Sequence, residues 1–233
     1  MINQQQIYML EKVAAVLAAV PQTIVFTGGA TIALYLDDTS APDIRPTDDV
    51  DCVVEIISRA EYYRLSDLLR DLGLQESREP GAPLCRWQYE DITVDVMPCD
   101  ESVLGFSNRW YAPGIANCIP YQLPSGRVIQ IFSVPYLLAS KIEAFIGRGQ
   151  GSFYFSADIE DIVALLDGCS RLEAEVQHAD IVVRTFLSEW FRSSQEMLRE
   201  IAPAFLSPVA RNAGRGRLVL ALLERLARLS QDL

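Results

Sequence analysis

Three short passages of this 233-residue chain carry residue types and spacings that can do chemistry. Phe26-Thr27-Gly28-Gly29-Ala30 is a strand-like run ending in a glycine pair that opens a helix. Asp49-Val50-Asp51-Cys52-Val53 sets two carboxylates two residues apart, and Val94-Asp95-Val96 places one carboxylate inside an apolar strand. Side chains alternate across a strand, so Asp49 and Asp51 share one face while Val50, Cys52 and Val54 take the other. Asp95 stands opposite its flanking valines in the same way. A carboxylate there is costly unless its charge is paired or coordinated. Three of them converging from adjacent strands make a site for hard divalent ions, Mg²⁺ before others. Two such ions, about 3.5–4 Å apart, would activate an attacking oxygen and stabilise a leaving pyrophosphate. Gly28 and Gly29 let backbone N–H groups approach a polyphosphate at a helix start, where a Cβ would hold the phosphate off. The plainer reading makes Asp48-Asp49 a solvated loop end and the glycine pair an ordinary turn. The occurrence of all three passages in this order favours the site.

The elements that must position these residues follow from periodicity. Helices are expected over Gln5–Ala19, Ala30–Leu36 and Arg59–Leu72, the last with Tyr63, Leu68, Leu69 and Leu72 on its apolar side. Strands are expected at Thr23–Phe26, Val50–Ile56, Leu84–Tyr89, Ile92–Met97, Ile119–Leu123 and Val128–Phe132, with Leu74 as a further strand end. After residue 133 the period changes to that of helices. These are expected over Val134–Ile146, from the capping residue Ser156 to Asp167, and over Ala179–Phe191, Ser194–Ile201 and Arg217–Leu229. The fold class expected is α+β: residues 1–133 alternate strands and helices, and residues 134–233 form a helical C-terminal part; the mixed sheet with flanking helices is what the family resemblance described below implies.

Composition narrows the function classes. About half the chain is hydrophobic and 22% is charged, which excludes a disordered chain, a coiled coil and a collagen-like polymer. The net charge is −11, and residues 1–100 hold 17 acids against 7 bases. A clustered acidic half suits divalent cations or cationic small molecules before a broad nucleic-acid surface. Five scattered cysteines without a C-x-x-C pair read as reduced thiols. The single histidine, His178, sits between the expected helices and receives no role. The apolar run Val13–Val20 has no basic segment before it and reads as a first helix. No stretch approaches the roughly 20 apolar residues of a membrane span, so a cytoplasmic protein is expected.

Gly-Gly, then Asp-x-Asp, then a later strand aspartate resembles the nucleotidyltransferase superfamily of the DNA polymerase β type. The finer text, Gly28-Gly29-Ala30-Thr31 and Arg45-Pro46-Thr47-Asp48-Asp49-Val50-Asp51, is similar to the AbiEii/AbiGii toxin-type nucleotidyltransferases. Lys141 in Leu138-Ala139-Ser140-Lys141-Ile142-Glu143, followed by Asp158 and Asp161, matches that group's helical lysine and acidic helix. The resemblance covers about residues 24–167. Asp37–Thr47 stands as an insertion, and Phe153-Tyr154-Phe155 is an extra aromatic patch. It implies a nucleotidyltransferase with Asp49, Asp51, Asp95 and Lys141 as catalytic residues and the three aspartates as ligands of two Mg²⁺ ions. Gly28, Gly29, Lys141 and Arg148 would bind the nucleotide. The implied partners are an NTP, an RNA acceptor and a cognate antitoxin. An aminoglycoside-like acceptor is the alternative, as is a nucleotide-binding module without turnover. For Lys141 the plainer reading is an exposed helical lysine covering apolar surface. Asp161 either orients Lys141 or Arg148 or is an ordinary first-turn acid. Thr27 and Arg45 either bond a carboxylate or phosphate or fix the loop, and the aromatic patch either stacks on a base or is core.

Overall fold

The computed structural model describes residues 4–37, 44–148 and 152–229. Residues 38–43 of the Asp37–Thr47 insertion lie outside the described residues. Two compact units divide the chain. One is built from Ile2–Thr31 and Pro46–Phe132, the other from Ile32–Arg45 and Ser133–Leu233.

The first unit is a seven-stranded mixed sheet. Its strands are β1 (Ile24–Thr27), β2 (Asp49–Val54), β3 (Gln75–Glu76), β4 (Arg86–Tyr89), β5 (Ile92–Pro98), β6 (Cys118–Gln122) and β7 (Val128–Phe132), in the spatial order β3-β4-β5-β2-β1-β7-β6. Pairing of β2 with β5 and of β1 with β7 is parallel; the remaining pairs are antiparallel. The centre of the sheet is occupied by strands rich in buried valine, which is what a strand covered on its apolar face requires. Helices α1 (Gln4–Leu17) and α2 (Arg59–Asp71) flank it, with the short helices α3 (Glu101–Leu104) and α4 (Tyr111–Ala116). Ser58 caps α2 by accepting the Glu61 N–H.

Helix α2 is rolled relative to expectation. Tyr62, Leu65, Ser66 and Leu69 are its buried residues, whereas Tyr63 is 67% exposed. These positions follow the i, i+3, i+4, i+7 rule, but one of them is a serine. The Ser66 hydroxyl donates to the Tyr62 carbonyl at 2.9 Å, so the buried polar group is satisfied inside its own helix.

The second unit is helical: α5 (Val134–Gly147), α6 (Ala157–Gly168), α7 (Leu172–His178), α8 (Ile181–Ser193), α9 (Gln195–Phe205), α10 (Pro208–Asn212) and α11 (Arg215–Leu226). His178 therefore ends α7 instead of lying between helices, with Nδ1 2.7 Å from the Ala174 carbonyl oxygen. Phe153 packs edge-on against Phe145 at 4.7 Å and parallel to Trp190 at 6.5 Å, while Phe155 is 92% exposed. Among the described residues no helix is long and apolar enough to cross a membrane.

All five thiols are free, and Cys52, Cys85 and Cys169 are buried. Burial pushes the Cys85 thiol up to about 12 and Cys169 to about 11, and raises Cys52 well above its ordinary value. Since the thiolate is the nucleophile, native alkylation at about pH 8 should modify Cys99 and Cys118 first, with all five reacting only after denaturation. Mass-spectrometric mapping showing Cys52 or Cys85 labelled as fast as Cys99 would contradict this packing.

Candidate active site

Strand pairing sets four side chains in one row. Thr27 on β1 is in register with Asp51 on β2, Asp51 with Asp95 on β5, and Asp95 with Arg86 on β4. Residues opposite one another in adjacent strands share a face of the sheet, so Thr27, Asp51, Asp95 and Arg86 project together. Asp49, two residues before Asp51, projects to the same side. Carboxylate oxygens of Asp49, Asp51 and Asp95 all lie within 4.8 Å of one another. This is the convergence expected from alternation along β2 and β5.

Each carboxylate has its own support. Thr47 donates its hydroxyl to Asp49 Oδ1. Asp51 rests against Gly28, where a Cβ would lie 1.9 Å from Asp51 Oδ2; Gly28 also has φ +75°. Gly28 is thus required first by the carboxylate beside it and by its own backbone conformation. Asp95 is buried and accepts both arms of Arg86, from Nε at 2.9 Å and from Nη2 at 2.7 Å. A bidentate pair of this kind fixes the carboxylate plane and uses one lone-pair site on each oxygen. The Asp95 hydrogen bond and charge hold Arg86 more firmly protonated than an ordinary arginine. Cys52 faces away from the row into the core, its thiol pushed up by burial and then by Asp51 and Asp95.

These residues fit a divalent cation. The donors are all carboxylate oxygens, the set that hard ions prefer. Arg86 offsets the charge of Asp95, and a bound cation would offset the mutual repulsion of carboxylates this close. Thr27 Oγ1, in register with Asp51, is buried without a hydrogen-bond partner, an unmet polar atom on the same face. No second such group of ligands occurs among the described residues.

The glycine pair leads into a six-residue 3-10 helix, Gly29–Leu34, in place of the longer run expected through Leu36. The turn is closed by the Thr31 hydroxyl donating to the Gly28 carbonyl at 2.9 Å. So short a helix has little aligned dipole, and anion binding there would rest on the individual N–H groups.

In the helical unit Lys141 is buried at 8% exposure, which overturns the exposed-lysine alternative. Its Nζ lies 2.6 Å from Asp161 Oδ2 and 3.5 Å from Asp158 Oδ1. Arg148, at the end of α5, pairs with Asp158 at 2.7 Å while remaining 69% exposed. Arg45 reaches Asp161 at 3.6 Å. Asp161 therefore holds Lys141, one of the two roles sequence left open for it, and Asp158 holds Arg148. Lys141, Arg148 and Arg45 meet the buried carboxylates of Asp158 and Asp161 here, and Glu160 adds a third carboxylate beside Arg45. The residue that sequence reasoning missed is Arg86. Its only local signal was an arginine opening an aromatic strand, and its partner became visible only with the β4–β5 register.

No family model matches the chain. No curated protein matches it either. Among solved structures it is similar to an antigenic nucleotidyltransferase-like protein from Paracoccidioides brasiliensis, with TM-score 0.53 and 19% identity over 90% of this chain and 97% of that one. It is also similar to the antibiotic-resistance factor ANT(2'')-Ia in solution, with TM-score 0.50 and 15% identity over 85% of this chain and 99% of that one. The mixed sheet with its flanking helices and helical C-terminal part is the fold of nucleotidyltransferase-like proteins.

Proposed function

We propose that the chain is a Mg²⁺-dependent nucleotidyltransferase that moves an NMP from an NTP to an acceptor hydroxyl. The observation that carries this reading is the carboxylate row: Asp49, Asp51 and Asp95 with oxygens within 4.8 Å on one face, Gly28 seating Asp51 and Arg86 clamping Asp95. In this reading the acceptor oxygen attacks the α-phosphorus, the bond between the α-phosphorus and the bridging oxygen breaks, and pyrophosphate leaves. Asp95 takes the proton of the acceptor hydroxyl on an oxygen lone pair that Arg86 does not use. Asp49 and Asp51 are the principal ligands, and Mg²⁺ bound there supplies activation of the attacking oxygen and charge neutralisation of the pyrophosphate. Backbone N–H groups at Gly28 and Gly29 bind the polyphosphate. Lys141 and Arg148 are the cationic nucleotide-binding residues of this reading, a role that rests on the resemblance around Lys141.

The acceptor in this reading is an RNA 3′ end, and the biological role is that of a toxin-type nucleotidyltransferase of the cytoplasm with a cognate antitoxin. The AbiEii/AbiGii-like text around Gly28 and Asp49 supports it. Residues 1–133 would carry the carboxylates of the transfer chemistry, and residues 134–233 would form the helical C-terminal domain. The acidic first hundred residues favour a second acceptor class, a cationic small molecule of the aminoglycoside kind.

The test is incubation with each labelled NTP, Mg²⁺ and total cellular RNA, in parallel with kanamycin, for the wild type and for Asp49→Ala/Asp51→Ala. Transfer to RNA is expected, falling at least a hundredfold in the double variant and on chelation of Mg²⁺. Loss of outer-shell groups alone costs about 10–100-fold, so removal of two ligands sets a larger drop. Transfer to RNA should also weaken steeply with salt, and transfer to a small cation less so. Equal labelling by the double variant would sink the catalytic assignment.

A further inference from the structure

The sheet of the first unit has a second face, turned away from the carboxylates. Trp87 alternates with Arg86 along β4, and Val94 and Val96 alternate with Asp95 along β5, so these three apolar side chains take that face. Helix α2 covers it. The Arg70 guanidinium lies 5.9 Å from the centroid of the Trp87 ring, and the buried Tyr62 hydroxyl donates to the Val96 carbonyl at 3.2 Å. Alongside α2 is a pocket of about 410 Å³, within the roughly 300–1,000 Å³ of small-ligand sites. One wall is a stripe of α2 itself, Arg59, Tyr63, Ser66 and Arg70, spaced as neighbours along one side of a helix. Pro83 and Leu84, in the segment leading into β4, form another. Val103 and Leu104 of α3 stand near Arg59, whose Nε donates to the neighbouring Ser102 carbonyl at 3.2 Å.

Charge decides what this pocket can take. Arg59, Arg70 and Arg86 line it, against one acid, Glu76. The Arg86 guanidinium is committed to Asp95 on the other face of the sheet, and Arg70 is held by Asp67 at 2.6 Å and Glu76 at 2.5 Å. Arg59 uses only its Nε, and its two terminal nitrogens have no partner among the described residues. One arginine fork is therefore open, with no uncommitted carboxylate in the lining to meet it. A cationic ligand finds the single acid already paired, and a polyanion finds a single open arginine. The remaining lining asks for an apolar body. Tyr63 and Leu84 are 67% and 71% exposed, while the Ser66 hydroxyl is spent on the Tyr62 carbonyl. A tyrosine ring with a leucine in the same pocket is a platform for another ring.

We infer that this pocket is a binding site for a small aromatic monoanion, a carboxylate or sulfonate carried on a planar ring. Arg59 takes the anionic group on its open nitrogens, and Tyr63 and Leu84 take the ring. The site lies across the sheet from Asp49, Asp51 and Asp95, and it does not depend on the transferase reading.

The test is equilibrium binding of 1-anilinonaphthalene-8-sulfonate, a fluorescent aromatic monoanion, without NTP or metal. It is run on the wild type, Arg59→Gln, Tyr63→Ala and Asp49→Ala/Asp51→Ala, with circular dichroism as the check that each is folded. Both single substitutions are at exposed positions of α2. Arg59→Gln is expected to weaken binding about tenfold or more, the loss of a charge-assisted hydrogen bond. Tyr63→Ala should weaken it about two- to twelvefold, the loss of one ring contact. The double aspartate variant should bind the dye as the wild type does. In competition, 2-naphthoate should displace the dye at least tenfold better than 2-naphthol, which has the same rings and no charge at neutral pH. Wild-type affinity in both α2 variants, equal displacement by the two competitors, or no binding to the wild type overturns the inference. Binding lost in the double aspartate variant also overturns it, since the dye would then occupy the carboxylate face.

Discussion

A Gly28→Ala variant is expected to bind Mn²⁺, as a probe for Mg²⁺, at least tenfold more weakly than the wild type and to lose nucleotide transfer in step. Two separate costs meet at this residue. Its φ of +75° lies in the left-handed region, where a Cβ costs about 1–2 kcal/mol. The added methyl would also stand 1.9 Å from Oδ2 and 2.6 Å from Cγ of Asp51, far inside contact distance. Either the carboxylate leaves the row or the β1–β2 ladder opens. Gly73 separates the two effects. It has φ +93°, and a Cβ added there would meet nothing within 4 Å, so Gly73→Ala carries the backbone cost without the clash. Gly73→Ala should melt about 2–8 °C lower, using about 2–4 °C per kcal/mol for a chain of this size, and Gly28→Ala at least as much lower. Only Gly28→Ala should lose the ion. Isothermal titration with Mn²⁺ checks this, and equal affinity in the two variants would remove Gly28 as the seat of Asp51.

The second large effect is on stability. Asp161→Ala removes the carboxylate 2.6 Å from the buried Lys141 ammonium and leaves it with Asp158 at 3.5 Å, which Arg148 already engages at 2.7 Å. Breaking a buried ion pair by deleting one partner costs about 3–5 kcal/mol, because the remaining charge loses its nearest counter-charge where water screens it little. A fall in melting temperature of about 6–20 °C is expected. Lys141→Met/Asp161→Leu, which removes both charges and keeps the volume apolar, should recover most of that loss. Thermal unfolding followed by circular dichroism gives the three values. A single variant within about 1 kcal/mol of wild type would mean that the pair is solvated and that Lys141 is held by packing alone.

Both predictions rest on residues whose importance was legible in the sequence to different degrees. The Asp-x-Asp spacing and the lone aspartate between valines announced a shared polar face, because strand alternation is a local property of the backbone. Gly28 was legible as a special position, but the ascribed cause, room for a phosphate, was incomplete; the neighbour that excludes a Cβ in the structure is Asp51. Lys141 and Asp161 were joined by resemblance, and their burial was not readable, since the interior of α5 is apolar on nearly every side and gives weak periodicity. Helices α3, α4, α7 and α10 went unread because four to seven residues are too few for a helical period to emerge. The rolled face of α2 was hidden by Ser66, a polar residue in a buried stripe that satisfies itself within the helix.

By itself, then, the sequence determined the α+β class, the strands that carry the acids and the face to which each acid points. Tertiary structure decided the distances. Parallel pairing of β2 with β5 in the register Asp51 to Asp95 makes the two carboxylates neighbours, and antiparallel pairing of β4 with β5 puts Arg86 opposite Asp95. A slip of one residue would send every side chain of a strand to the other face, yet alternation along that strand would read the same. Which face a residue takes is written within a few residues of chain. Which residue it meets there depends on how separate segments pair, and only the folded sheet specifies that.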